Sequence, residues 1–162
     1  MKKISIFGAT GSIGQNTIDL IARAPDTYEV VALTGANNIA QLAKDAQRLN
    51  AKIAVTAHDH LLEDLRDALA GTGIEAAAGT QAINDAATRP ADWVMSAIIG
   101  AAGLAPGVAA LKQGATLALA NKESLVCAGQ LMLETAAAHS ATMLPVDSEH
   151  SAVFQALIGE DM

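Results

Sequence analysis

Three clusters in this 162-residue chain combine residue types and spacing that can do chemistry. The first is Ile4-Ser5-Ile6-Phe7-Gly8-Ala9-Thr10-Gly11-Ser12-Ile13-Gly14. An apolar run stops at Gly8, glycines recur at Gly11 and Gly14, and a helical apolar pattern follows through Ile18, Ile21 and Ala22. Strand, glycine turn and helix in that order can cradle a dinucleotide pyrophosphate. Gly8 permits a tight turn, Gly11 lets the phosphates approach the backbone, and Gly14 lets the helix pack closely on the strand. The helix N-terminus adds unpaired N–H groups and a partial positive charge. The plain alternative is a bare strand–turn–helix connection.

The second cluster is Asn121-Lys122-Glu123, three polar residues between the apolar Leu117–Ala120 and a helical pattern. Asn121 can hydrogen-bond a ribose or an amide, and Lys122 can meet a phosphate or an oxyanion. Glu123 would sit in a first helical turn, where the helix dipole favours a negative charge. The third is Asp147-Ser148-Glu149-His150. Residues two apart in extended chain project to one side, so Asp147 and Glu149 can share one hard cation, Mg²⁺ or Mn²⁺. Alternatively Asp147 or Ser148 is simply a helix N-cap.

The end of the second apolar run selects among nucleotides. NAD sites commonly place Asp or Glu there to accept from the ribose hydroxyls. Here Val30–Leu33 runs into Thr34-Gly35-Ala36-Asn37-Asn38 with no carboxylate. Thr and Asn can donate to a 2′-phosphate that a carboxylate would repel, so NADP is favoured over NAD. Asn37-Asn38 can equally turn the chain and cap the next helix. Farther on, Ser96–Gly103 is a run of small residues at another strand end. It suits close approach of a ribose or nicotinamide, or equally tight helix–sheet packing. His58 and His60 read as a solvated loop, His139 as a helix-end partner of the dipole, and Cys127 as a small core residue.

These clusters need elements to hold them. Strands are expected at Lys3–Phe7, Glu29–Thr34, Ile53–Val55, Ile74–Ala77, Asp92–Ser96, Thr116–Leu119 and Thr142–Leu144. Helices are expected at Ser12–Ala22, Ile39–Leu49, Leu61–Ala70, Gln81–Ala87, Leu104–Gln113, Lys122–His139 and Ser148–Leu157. Alternation with short connections predicts an α/β fold: a doubly wound, mostly parallel, Rossmann-like sheet of about seven strands with helices on both faces. Residues 1–146 would form that domain, and residues 147–162 would begin another.

Composition narrows the partners. Half the residues are hydrophobic but only four are aromatic, so the core is Ala, Ile, Leu and Val, as in a covered parallel sheet. A net charge of −7 without a basic run argues against nucleic acid. The single cysteine, Cys127, excludes an intrachain disulfide and a cysteine metal site. Gly8 interrupts the apolar start, so no signal peptide is visible. The apolar stretch from Trp93 to Leu111 is broken by Gly100, Gly103, Pro106 and Gly107, and no run is long enough to span a membrane. A soluble cytoplasmic protein is expected.

Four segments together resemble the 1-deoxy-D-xylulose 5-phosphate reductoisomerase family: GATGSIGQNTIDL at 8–20, SAIIGAAGL at 96–104, ALANKESLVCAG at 118–129 and LPVDSEHSAVFQAL at 144–157. The resemblance implies an NADPH-dependent enzyme of the non-mevalonate isoprenoid pathway, assisted by a divalent cation (Mg, Mn or Co). It implies a small phosphorylated sugar as substrate and a homodimer at full length. By the same resemblance Thr10, Gly11, Ser12 and Ile13 would hold the pyrophosphate. Gly35, Asn37 and Asn38 would lie at the adenosine end. Ala97, Ile98, Asn121 and Glu123 would lie along the nicotinamide side. Lys122 and Ser148 would contact substrate, and Asp147 and Glu149 the metal. Position 37 departs from relatives that carry Lys there. The family protein is considerably longer, so the chain reads as its N-terminal cofactor-binding part, inactive alone. A stand-alone NADP(H)-binding module is the competing reading. A semialdehyde dehydrogenase would need a nucleophilic cysteine in the crevice, and Cys127 falls within a helical pattern.

Overall fold

The computed structural model describes residues 1–146; Asp147, Ser148, Glu149 and the helix expected over Ser148–Leu157 lie outside them. Seven strands carry the chain: β1 (Lys2–Phe7), β2 (Tyr28–Gly35), β3 (Ile53–Thr56), β4 (Glu75–Ala78), β5 (Trp93–Ser96), β6 (Thr116–Leu119) and β7 (Thr142–Pro145). Six helices alternate with them: α1 (Ser12–Ala22), α2 (Ile39–Arg48), α3 (Leu62–Ala68), α4 (Gly79–Ala87), α5 (Leu104–Lys112) and α6 (Lys122–Ala138). The strands form one sheet in the order β4-β3-β2-β1-β5-β6-β7, with every neighbouring pair parallel. The chain winds outward from β1 to β4, then crosses back to begin the other half at β5. That reversal puts β1 beside β5 and opens a crevice beyond their C-terminal ends.

The inner strands β1, β2, β3, β5 and β6 are buried on both faces over most of their length and so read as apolar runs, while the edge strands β4 and β7 stay partly exposed. Ile4 and Ile6 point into a core shared with Ile18 and Ile21 of α1, Leu42 and Ala46 of α2, and Leu65 of α3. Phe7 points the other way, into a core with Ile83 of α4, Leu111 of α5 and Met132 of α6. The alternation follows from the two-residue period of a strand. On α1 the buried positions are Gly14, Thr17, Ile18 and Ile21, one stripe of a 3.6-residue helix.

Three element expectations need correction. A short 3₁₀ turn, Asp59–Leu61, precedes α3, which ends at Ala68 rather than Ala70. Helix α4 starts at Gly79, not Gln81; Gly79 itself takes a φ of +91°, and a β-carbon on it would collide with the Asp59 side chain. Helix α6 is not continuous: Ala128 has φ −150° and ψ 33°, beside Gly129. Glycine at a helix bend is a usual cause of such kinks. Cys127, expected in the core, is exposed at that kink. Among the described residues no helix is long and apolar enough to cross a membrane.

Phe7 is completely buried at the end of the strand that feeds the glycine turn. Phe7→Ala is expected to cost about 3–5 kcal/mol, the transfer term plus a cavity. Urea unfolding checks this, and a loss below about 1 kcal/mol would contradict the core role given to Phe7.

Candidate functional site

The crevice is built around the turn that leaves β1. The Gly8 N–H donates to Thr34 Oγ1 at 3.1 Å and the Ala9 N–H to the Thr34 carbonyl at 2.7 Å, fastening the turn to β2. On the other side Ala97 N–H donates to the Phe7 carbonyl at 2.8 Å, fastening β5. Gly8 takes φ +84°, and a β-carbon on it would stand 2.5 Å from the Ala97 carbonyl oxygen. A side chain at Gly14 would stand 2.6 Å from the Ala9 carbonyl oxygen, forcing α1 off the turn. Both glycines are required by the protein's own packing.

Gly11 is different. It has extended backbone, φ −80° and ψ 171°, which any residue adopts. A β-carbon there would meet only the Gly8 carbonyl, at an ordinary 3.5 Å. Nothing inside the protein demands glycine at this position, yet Gly11 faces open space at the N-terminus of α1. That terminus has no side-chain cap and no acidic residue in its first turn. Its amides are therefore left for an anion, which the helix dipole also favours.

Two recesses meet at Gly11. One, of about 400 Å³, is lined by Gly8, Thr10, Gly35, Ala36, Ala97 and Ile98 among others. The other, of about 290 Å³, is lined by Ser12, Ile13, Ala97, Ile98, Asn121, Lys122 and Glu123. The crevice thus gathers Gly8, Thr10, Gly11, Ser12, Ile13, Gly35, Ala97, Ile98, Asn121, Lys122 and Glu123 from four strand ends. Gly14 lies behind the turn, and Asn37 and Asn38 stand exposed on the loop beyond β2, outside both recesses.

The structure also reassigns several side chains. Thr34, read as a phosphate donor, is buried with its hydroxyl taken up by the Gly8 N–H. The donors at that end are then Asn37 and Asn38. Asn38 Oδ1 accepts the Gln41 N–H at 3.1 Å and so caps α2, at an exposed position. Asn121 is 3% exposed, and its Nδ2 donates to the Ile98 and Gly100 carbonyls at 2.6 and 2.7 Å. Its Oδ1 accepts the Ser124 N–H at 3.3 Å and caps α6. Both its N–H donors are committed, so the expected hydrogen bond to a ribose or an amide is open only through the second lone pair of Oδ1, as an acceptor. The small residues after β5 have a structural reason here: a β-carbon on Gly103 would come within 2.7 Å of Asn121 Nδ2.

Lys122 and Glu123 are exposed at the mouth, and Lys122 makes no ion pair among the described residues. His58, read as a solvated loop residue, instead lines the larger recess with Thr80 and Asn84. Asn84 Oδ1 is enclosed and has no hydrogen-bond partner among the described residues. Sequence reasoning missed this wall because only strand order brings β3 and α4 beside the glycine turn. Among the described residues no three His, Cys, Asp or Glu side chains are grouped to hold a metal ion.

The sheet order, the crevice at its reversal point and the uncapped helix behind a glycine turn define a doubly wound α/β domain of the Rossmann-like class. Residues 4–129 match the family model described as 1-deoxy-D-xylulose 5-phosphate reductoisomerase. The chain belongs to that family. It is 75% identical over its whole length to the 1-deoxy-D-xylulose 5-phosphate reductoisomerase of Ruegeria pomeroyi, of which it covers 41%. Among solved structures it is similar to the reductoisomerase of Zymomonas mobilis in complex with NADPH, at 55% identity and a TM-score of 0.94 over 95% of this chain and 41% of that one. It is also similar to a DOX-P reductoisomerase in complex with NADPH, fosmidomycin and magnesium, at 37% identity and a TM-score of 0.89 over 96% of this chain and 38% of that one. The chain therefore spans about 41% of the length of the relative and 38–41% of the two solved chains.

Asn121 joins the loop after β5 to α6. Asn121→Ala would leave two half-buried carbonyls without this partner and remove a cap, for an expected loss of about 1–3 kcal/mol. Thermal melts check the size, and hydrogen exchange at Gly103 and Ser124 checks the place. Wild-type protection there would contradict the latch.

Proposed function

We propose that this chain is the NADPH-binding N-terminal part of a 1-deoxy-D-xylulose 5-phosphate reductoisomerase. The observation that carries the cofactor reading is Gly11, a glycine that the fold does not need and that stands at an uncapped helix N-terminus. Its missing side chain makes sense as room for a pyrophosphate. Thr10, Ser12 and Ile13 flank that position. Gly35, Asn37 and Asn38 suit the adenosine end, where no carboxylate opposes a 2′-phosphate. The run from Ala97 to Gly100 and Glu123 suit the nicotinamide side. When bound, the dinucleotide would supply the hydride; Thr10, Gly11, Ser12 and Ile13 would hold its pyrophosphate at the N-terminus of α1.

The full-length enzyme, on this reading, rearranges 1-deoxy-D-xylulose 5-phosphate and reduces the aldehyde to 2-C-methyl-D-erythritol 4-phosphate. Lys122, exposed at the crevice mouth, and Ser148 contact the phosphorylated substrate. Asp147 and Glu149 hold the divalent cation, with further ligands supplied from beyond this chain. Residues 1–146 are the cofactor domain and 147–162 begin the catalytic one. We further propose that the full-length protein is a cytoplasmic homodimer. The decisive experiment is substrate-dependent NADPH oxidation by the full-length protein. Its absence in a preparation that binds NADPH would overturn the reductoisomerase reading and leave a cofactor-binding module.

Two expectations test the residues. NADPH should bind more tightly than NADH by about tenfold or more (1.4 kcal/mol). Asn37→Asp should erase that preference by like-charge repulsion of the 2′-phosphate, and Gly11→Val should abolish binding without lowering the melting temperature. Titration calorimetry checks all three, and equal affinity of the wild type for both nucleotides would refute the first. In the full-length enzyme Asp147→Asn or Glu149→Gln should each lower kcat/KM about 100-fold or more, close to 2.7 kcal/mol. Steady-state kinetics across a metal titration decides this, with unchanged metal dependence as the contrary result.

A further inference from the structure

Behind the crevice lies a set of polar side chains that the site as described does not use. Asp45 on α2 is 2% exposed. Its Oδ2 accepts Gln15 Nε2 at 2.6 Å, and both its oxygens accept Gln41 Nε2 at 3.0 Å. Gln41 Nε2 also reaches Gln15 Oε1 at 3.2 Å. The carboxylate makes no ion pair among the described residues.

Burying a carboxylate without a cation is unfavourable by several kcal/mol unless hydrogen bonds compensate. Its neighbours on α2 are Leu42, Ala43 and Ala46, all buried, so an apolar residue would suit the packing alone. The carboxylate does one thing an apolar residue cannot: it fixes the Gln15 amide. Gln15 Nε2 donates a second hydrogen bond, at 2.9 Å, to the carbonyl of Ala9, inside the glycine turn. The peptide before it, between Gly8 and Ala9, is held through the Ala9 N–H by the Thr34 carbonyl. At the other end, the backbone N–H of Gln41 is the one capped by Asn38. Hydrogen bonds run from the turn at Ala9 through Gln15 and Asp45 to the Gln41 side chain, and the backbone N–H of the same Gln41 meets the loop at Asn38.

We propose that Asp45 is a positioning residue for the dinucleotide site. It acts through Gln15 on the pyrophosphate turn and through Gln41 on the 2′-phosphate loop, setting the two arms of the clasp at a fixed separation. This rests on the NADPH reading. The role predicts a loss in cofactor affinity with turnover kept, because neither Asp45 nor Gln15 lines either recess.

The test uses Asp45→Leu, Asp45→Asn and Gln15→Leu in the full-length enzyme, with NADPH titrated by fluorescence and steady-state kinetics run beside it. Asp45→Leu and Gln15→Leu should each raise the Kd and KM for NADPH about tenfold, with kcat at saturating NADPH within about twofold of wild type. The double variant should be no weaker than the weaker single, since both break one chain of bonds. Asp45→Asn keeps one acceptor oxygen and should stay within about threefold of wild type. Folded variants with wild-type Kd and KM would overturn the proposal, whatever their melting temperatures. If Asp45→Leu does not fold, Gln15→Leu, at a partly exposed position, decides alone by the same criterion. A wild type that fails to bind NADPH would overturn the cofactor reading, and this proposal with it.

Discussion

The structure depends on a turn flanked by two positions, Gly8 and Gly14, that have no room for a side chain. At Gly8 the chain leaves β1 with a backbone conformation that L side chains rarely adopt, pressed against the peptide between Ala97 and Ile98. Three residues after Gly11, Gly14 presses α1 onto the same turn from the other side. The turn is thus caught between two neighbours and tied to β2 through Thr34. These contacts aim the N-terminus of α1 beyond the strand ends. An anion site made of backbone dipoles works only when such dipoles are held still before the ligand arrives.

The opposite wall is held by a single amide. Asn121 joins the carbonyls of Ile98 and Gly100 to the first turn of α6, and Gly103 leaves the space for it. Removing backbone carbonyls from water requires partners, and here one side chain supplies them while capping a helix. The loop after β5 can therefore stay thin and close to the crevice. Lys122 and Glu123 follow at once on α6, so their position at the mouth is inherited from the same latch.

Electrostatics fits a protein of net charge −7 that is read as taking an anionic dinucleotide. No basic patch is needed if the phosphates meet helix amides and the loop beyond β2 carries amides instead of acids. The buried charge nearest the turn, Asp45, is turned away from the crevice and hydrogen-bonded to Gln15 and Gln41. It contributes order to the turn without offering its oxygens to the ligand.

Much of this was legible in the residues because it is local. Strand β1, the glycine turn and α1 are consecutive, so spacing alone announces them, and the separate reasons for Gly8 and Gly14 both hold in three dimensions. Alternating apolar segments likewise predict the doubly wound sheet, since strands covered on both faces must be apolar throughout. What spacing could not supply is which residues meet across long separations. Asn121 reaches carbonyls more than twenty residues earlier, and that contact turns an apparent ligand donor into a structural latch. Thr34 became a pin for the turn, His58 part of the crevice wall, and Cys127 an exposed residue at a kink, all for the same reason. The sequence determined the local conformations and the chemistry on offer at each strand end. Only the tertiary structure decided which polar groups find partners inside the protein and which remain open to a ligand, because hydrogen bonds are allotted by proximity in space.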